Sequence, residues 1–133
     1  MIKVMPASLL VVAVLATTLL PPAGGQAQSS APAPAANDGA KLYQAKCGGC
    51  HSIAVNKIGP AHKGVFGRKA AMVAGYKYSP ALRAAKITWD AKNLDQWLQG
   101  PQKLVKGSRM YLVVPDPAQR AAIITYLQSD AVR

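Results

Sequence analysis

Cys47 and Cys50 are the only two cysteines of the 133-residue chain, and they stand in Cys47-Gly48-Gly49-Cys50-His51. Two thiols one helical turn apart can add to the two vinyl groups of a haem. The residue that follows, His51, is then placed under the iron as an axial ligand. C-x-x-C-H is the attachment signature of c-type haem, and one covalently bound haem c is the expected cofactor. Gly48 and Gly49 are expected to let the backbone bend close to the porphyrin edge.

Three other chemistries use the same residue types. A thiol–disulfide exchanger also carries C-x-x-C, but it places the motif after a strand in a βαβ pattern, and the sequence shows none. A zinc site needs four N or S ligands, which Cys47, Cys50, His51 and His62 would have to supply together. A plain disulfide across so short a loop is sterically awkward and stabilises little.

The elements that would position this motif begin only after residue 36. Lys3 is the only charge before Asp38, and Leu9 to Leu20 is an uncharged apolar run of 12 residues. Pro21, Pro22, Gly24 and Gly25 break that run, and Gly25-Gln26-Ala27 offers small residues for a peptidase. Residues 1–27 therefore read as a secretory signal peptide, which makes the expected location periplasmic. The alternative is an uncleaved anchor, reached if the run extends back to Val4 across Pro6. Residues 28–36 are rich in Ala, Pro and Ser and read as a flexible segment.

Residues 37–133 form the expected domain. Asn37 or Asp38 can cap a first helix to about Lys46. Residues 51–77 are broken by Gly and Pro and read as loop. Ser79-Pro80 starts a short helix to about Lys86. Thr88 or Asp90 starts another, with Leu94, Trp97 and Leu98 at helical spacing, and Gly100-Pro101 stops it. Residues 101–115 read as irregular. Asp116-Pro117 opens a terminal helix whose apolar face carries Ile123, Ile124, Tyr126 and Leu127. No stretch alternates as a strand does, so the fold class is all-α, with about four short helices and long loops. Four short helices make a poor core unless the loops wrap a ligand. A haem supplies that missing apolar body.

At this point the chain resembles the class I c-type cytochromes, the soluble mitochondrial and bacterial cytochrome c family. CGGCH is followed in order by Gly59-Pro60, Gly64, Phe66-Gly67-Arg68-Lys69, Gly75-Tyr76-Lys77-Tyr78-Ser79 and Ile87-Thr88-Trp89. Leu94, Trp97-Leu98, Pro101, Gly107-Ser108-Arg109-Met110 and the helix bearing Ile123 and Tyr126-Leu127 complete the match. The resemblance implies that His51 binds iron through one ring nitrogen and donates from the other to the Pro60 carbonyl. It implies that Arg68, Tyr78 and Trp89 surround the haem propionates, which need donors where water is excluded. Trp97 stands where the family has an aromatic near the sulfur ligand. Gly39 and Tyr43 of the first helix would cross Ile123 and Tyr126 of the last. Read without the resemblance, Tyr78, Trp89 and Trp97 are core aromatics and Arg68 a surface charge.

Met72 and Met110 are the only methionines beyond the signal. Met110 follows Gly107-Ser108-Arg109 and matches the family's ligand loop, so the resemblance makes it the second iron ligand, with Met72 and His62 as the other candidates. A lone Met is otherwise core filler. Several positions depart from the family. Lys106 replaces a Pro, and Tyr111-Leu112 replaces an Ile-Phe pair, so the ligand loop is expected to be looser. His62 replaces a Leu that packs on haem. It is either a satisfied core or rim histidine or a group that tunes the iron potential.

A His/Met haem has no open site for substrate, which leaves one-electron transfer and a carrier rather than an enzyme. Two alternatives stand beside it. One is a haem c subunit of a periplasmic dehydrogenase. The other is a redox enzyme such as a peroxidase, if the Met ligand leaves easily. Lys and Arg total 16 against 5 Asp and no Glu, a formal charge of +11. By resemblance, Lys46, Lys103, Lys106 and Arg109 ring the exposed haem edge, and Gln102 replaces a Lys common there. Such a rim suits acidic redox proteins or membrane redox complexes: an oxidase, a cytochrome reductase, a reaction centre or a dehydrogenase. An exported chain without basic clusters among exposed aromatics has no nucleic-acid partner, and a monomer is expected.

Overall fold

The computed structural model describes residues 36–133. The expected export signal and the flexible segment up to residue 35 lie outside them. The described part holds five helices: α1 Ala36–Lys46, α2 Pro80–Ala84, α3 Ala91–Gln99, α4 Pro101–Leu104 and α5 Pro117–Gln128. Among the described residues no strand forms, and the extended pieces meet only in one isolated bridge between Lys69 and Thr88.

Local chemistry sets the helix starts. Ser79 caps α2 by accepting from the Leu82 N–H, with Pro80 at the first helical position. Asp90, rather than Thr88, caps α3 and accepts from the Asn93 N–H at 2.7 Å. Asp116 caps α5 by accepting from the Ala118 and Gln119 N–H groups. A short polar side chain satisfies the orphan donors of a first turn, which explains all three. α1 starts at Ala36, so Asn37 and Asp38 fall inside its first turn instead of capping it.

The helix count differs from the four expected. Residues 101–104 form α4, a single turn in a stretch read as irregular. Pro101 has two effects here: lacking an N–H it ends α3, and its fixed φ is suited to the first position of the next turn. The Lys103 and Leu104 N–H groups both return to the Gly100 carbonyl. α2 is shorter than expected, ending at Ala84.

α1 packs on α5, and α3 packs on both α4 and α5. Gly39 makes the first crossing possible, because a Cβ there would collide with the Ala122 carbonyl and with Tyr126. Ile123 is fully buried, with Tyr43, Leu94, Leu98 and Leu127 in the same cluster. Arg120 of α5 is buried as well. Its Nε donates to Asp95 of α3 at 2.6 Å and its Nη1 to the carbonyls of Val114 and Pro115. A buried guanidinium needs such partners to offset its desolvation. Between α1 and α2 the chain winds through turns, and that long segment closes one side of the central cavity.

Candidate functional site

The attachment motif continues the last turn of α1. The Cys47 N–H donates to the Tyr43 carbonyl at 2.7 Å, and the His51 N–H returns to the Cys47 carbonyl at 2.8 Å. This winding puts both thiols and the imidazole on one cavity. Both cysteines are free, Cys47 buried and Cys50 exposed. Burial pushes the Cys47 thiol up to about 11. The expectation for Gly48 and Gly49 divides here. Neither has positive φ, but a Cβ on Gly48 would lie 2.6 Å from the Gln44 carbonyl oxygen, whereas one on Gly49 would meet nothing within 4 Å. The tight turn that carries the motif to the site therefore needs a glycine at Gly48 and not at Gly49.

Gly59 is the glycine that the site requires. A Cβ there would strike the His51 ring, lying 2.7 Å from Nε2 and closer still to Cε1. The segment before Pro60 therefore presses directly on the imidazole. The His51 Nδ1–H donates to the Pro60 carbonyl at 2.9 Å, which leaves Nε2 as the nitrogen with a lone pair. Burial holds the His51 imidazole below its ordinary range, opposed by the Pro60 bond, so it stays neutral and able to bind metal.

His62 stacks on this ring, with centroids 4.1 Å apart and planes 22° apart. Its Nδ1 shares a hydrogen bond with the Tyr43 hydroxyl at 3.1 Å. Burial, and then the nearby His51 and Arg68, push His62 down to about 3. The same burial raises the Tyr43 phenol. His62 is thus a satisfied neutral histidine behind the proximal ligand. Tyr43 is the partner that the sequence reading did not assign to it.

Across the cavity, the Trp97 Nε1–H donates to Met110 Sδ at 3.0 Å. Trp89 meets Trp97 edge-on at 5.2 Å. Arg68, Tyr78 and Trp89 line the same cavity, together with Lys46 and Arg109. The Arg68 guanidinium donates to the carbonyls of Lys63 and Ala61, at 2.5 and 3.1 Å. The Tyr78 oxygen accepts from the Val73 N–H, so its own hydrogen is free to be donated. Burial lowers Arg68 and raises Tyr78, and each opposes the other's shift. Met72, the other methionine, is 64 % exposed and does not line the cavity.

The cavity measures about 430 Å³, and Val65, Leu94, Leu98, Ile123 and Leu127 make its wall largely apolar. A haem fits this donor set. Two free thiols stand at one edge, an imidazole and a thioether offer iron ligands, and the free donors of Tyr78 and Arg68 suit carboxylates. The zinc alternative finds no support, since no group of three or more His, Cys, Asp or Glu side chains converges among the described residues. The sequence names Gly59 in the resemblance but gives it no role, and it marks Gln102 only as a missing rim charge, yet the Gln102 side chain reaches the backbone of the Met110 segment.

Comparison with known proteins points the same way. The cytochrome c family model matches residues 36–130. Cytochrome c of Cochliobolus lunatus is 36 % identical over 71 % of this chain and 92 % of its own length. Cytochrome c2 iso-2 of Magnetospirillum fulvum is 38 % identical over 62 % of this chain and 90 % of its own. The solved structure of cytochrome cH from Methylobacterium extorquens superimposes with a TM-score of 0.67 at 41 % identity, covering 70 % of this chain and 96 % of that one. A wrapped cavity with two thiols at its edge, and relatives that run the length of the folded part, have one common explanation: the chain belongs to the cytochrome c family, has its class I fold, and is an electron carrier with one covalent haem c.

Proposed function

We propose that the protein is an exported one-electron carrier, periplasmic in location, whose haem iron is held between His51 and Met110. The observation that carries this reading is the pairing of the two ligands on one cavity. His51 is fixed through Pro60, and Met110 Sδ is fixed by the Trp97 N–H. Cys47 and Cys50 would anchor the macrocycle. Bound there, a haem supplies one-electron redox chemistry, and a neutral thioether ligand favours its ferrous state.

The protein's own groups do the rest. Pro60 orients the imidazole and raises its basicity. Trp97 fills the space behind the sulfur and excludes water. Arg68, Tyr78 and Trp89 would take the propionates, with the Tyr78 hydroxyl as a free donor. With His51 and Met110 both holding the iron, no open position would be left for substrate, and the protein would be a carrier and not an enzyme. No helix among the described residues is long and apolar enough to cross a membrane.

The partners would be acidic redox proteins or membrane redox complexes. Lys46, Lys103, Lys106 and Arg109 are all exposed, and Lys46 and Arg109 border the cavity. Tyr111, 75 % exposed, and Val113, 48 % exposed, add apolar surface beside Met110. A basic rim around an apolar centre fits a transient acidic partner.

Two measurements test the reading. Acid extraction of denatured protein should leave the haem absorbance with the polypeptide, and haem in the organic phase would overturn the attachment. Met110→Ala should lower the reduction potential and abolish the weak sulfur-to-iron charge-transfer band of the oxidised protein. Persistence of that band would remove Met110 as ligand.

A further inference from the structure

Gln102 lies in α4, and the segment Gly107–Met110 curls back over it. Its Nε2 is 2.7 Å from the Ser108 carbonyl oxygen, 2.8 Å from Ser108 Oγ and 3.0 Å from the Met110 carbonyl oxygen. Its Oε1 accepts from the Gly107 N–H at 3.1 Å. One amide thus shares two N–H hydrogens among three acceptors and uses its oxygen for a fourth bond.

All four partner atoms belong to the segment that ends in Met110, and none belongs to α1, α3 or α5. Ser108 is 2 % exposed. Its N–H is used by the Val105 carbonyl, while its carbonyl and hydroxyl both depend on Gln102. A buried polar group left without a partner is costly, so these bonds weigh more than surface ones. Lys106 leaves the preceding backbone free where a Pro would stiffen it. Among the described residues, the only other polar ties of the segment's side chains are Trp97 to Met110 Sδ and the exposed bond from Arg109 to the Lys77 carbonyl.

We propose that Gln102 is a positioning residue that clamps the Met110 segment and sets how readily the sulfur leaves the iron. The inference rests on the reading of Met110 as ligand. It reverses the expectation of a looser loop, since the side chain that thins the basic rim is the one that holds the segment closed.

The test uses the oxidised holoprotein and two variants. Gln102→Met keeps the length and removes every polar atom. Gln102→Glu keeps an acceptor for Gly107 and turns the donor into an acceptor facing three acceptors. Imidazole titration is followed by loss of the charge-transfer band, and amide exchange is followed at Gly107 and at Ile123 in the core of α5. Added imidazole binds only where Met110 has left, so its apparent affinity scales with the open fraction. Both variants should bind imidazole about 10- to 100-fold more tightly than wild type. In Gln102→Met the Gly107 amide should exchange faster by a similar factor while Ile123 keeps its wild-type rate. Wild-type imidazole affinity together with wild-type Gly107 exchange would overturn the clamp. Equal acceleration at Gly107 and Ile123 would overturn it too, since that is general destabilisation. Met110→Ala separates the two readings. If its band survives, the ligand assignment fails, and the Gly107 exchange alone decides whether Gln102 clamps the segment.

Discussion

Replacing Gly59 with alanine tests whether the backbone before Pro60 is what fixes the proximal imidazole. An added Cβ would lie 2.7 Å from His51 Nε2 and nearer to two other ring atoms. Ordinary carbon contacts need about 3.5 Å, so the ring or the segment must move by about 1 Å. The segment is held on both sides: the Gly59 N–H donates to the Cys50 carbonyl at 2.7 Å, and its carbonyl accepts from the Lys57 N–H at 2.9 Å. The ring is held by Pro60, one residue away. Overpacking such a site costs about 1–3 kcal/mol. Stretching the bond from Nδ1 to Pro60 adds about 0.5–1.5 kcal/mol. The sum, about 1.5–4.5 kcal/mol, should lower the melting temperature of the holoprotein by roughly 6–36 °C. The potential should move as well. An imidazole that donates less strongly to Pro60 is a poorer electron donor to iron, so the potential should rise. The assay is thermal unfolding followed by far-UV dichroism, with a potentiometric titration beside it. Gly49→Ala is the control, since its Cβ would meet nothing within 4 Å. If Gly59→Ala melts within 2 °C of that control (a difference of about 0.5 kcal/mol or less) and keeps its potential, the close approach does not restrain the ring.

Two further outcomes are expected. The second-order rate of electron transfer with an acidic redox partner should fall as salt rises through 0.1 M, where the Debye length is about 10 Å. A flat or rising rate, or a Lys46/Lys103/Arg109 triple neutral variant that reacts as fast as wild type, would end the role of the basic rim. His62 should make stability pH-dependent, because burial holds it down to about 3 while an unfolded imidazole titrates near 6.5. Between those values the unfolded chain binds a proton that the folded chain refuses, so stability falls as pH drops from about 6.5 toward 3, by up to about 1.4 kcal/mol per unit. Urea unfolding at pH 7 and pH 4.5 should show a loss smaller by about 2 kcal/mol in His62→Leu than in wild type, and parallel losses would contradict this.

What could be read from the residues alone depended on how local the cause was. The helix caps at Ser79, Asp90 and Asp116 act within three residues, so a short window of sequence contains both donor and acceptor. The attachment motif is legible for the same reason, because Cys47, Cys50 and His51 share one turn. The contacts that tie distant parts of the chain together are of another kind. Tyr43 and His62 are 19 residues apart, Trp97 and Met110 are 13 apart, and Arg120 reaches Asp95 across 25. No periodicity encodes such pairs; family resemblance supplied Trp97, and nothing supplied Tyr43 with His62 or Arg120 with Asp95. Gln102 is the instructive intermediate. It lies only eight residues from Met110, yet its role depends on α4 turning it toward the segment, and α4 is the helix that was read as irregular. A polar side chain in an expected loop carries no direction, so only its charge, or lack of it, was readable. Once Pro101 is seen to start a turn, Gln102 gains a face, and Gly107, Ser108 and Met110 become its partners. The side-chain amide that a sequence counts as a lost positive charge is, in the folded chain, two N–H donors and one oxygen acceptor placed against the ligand segment.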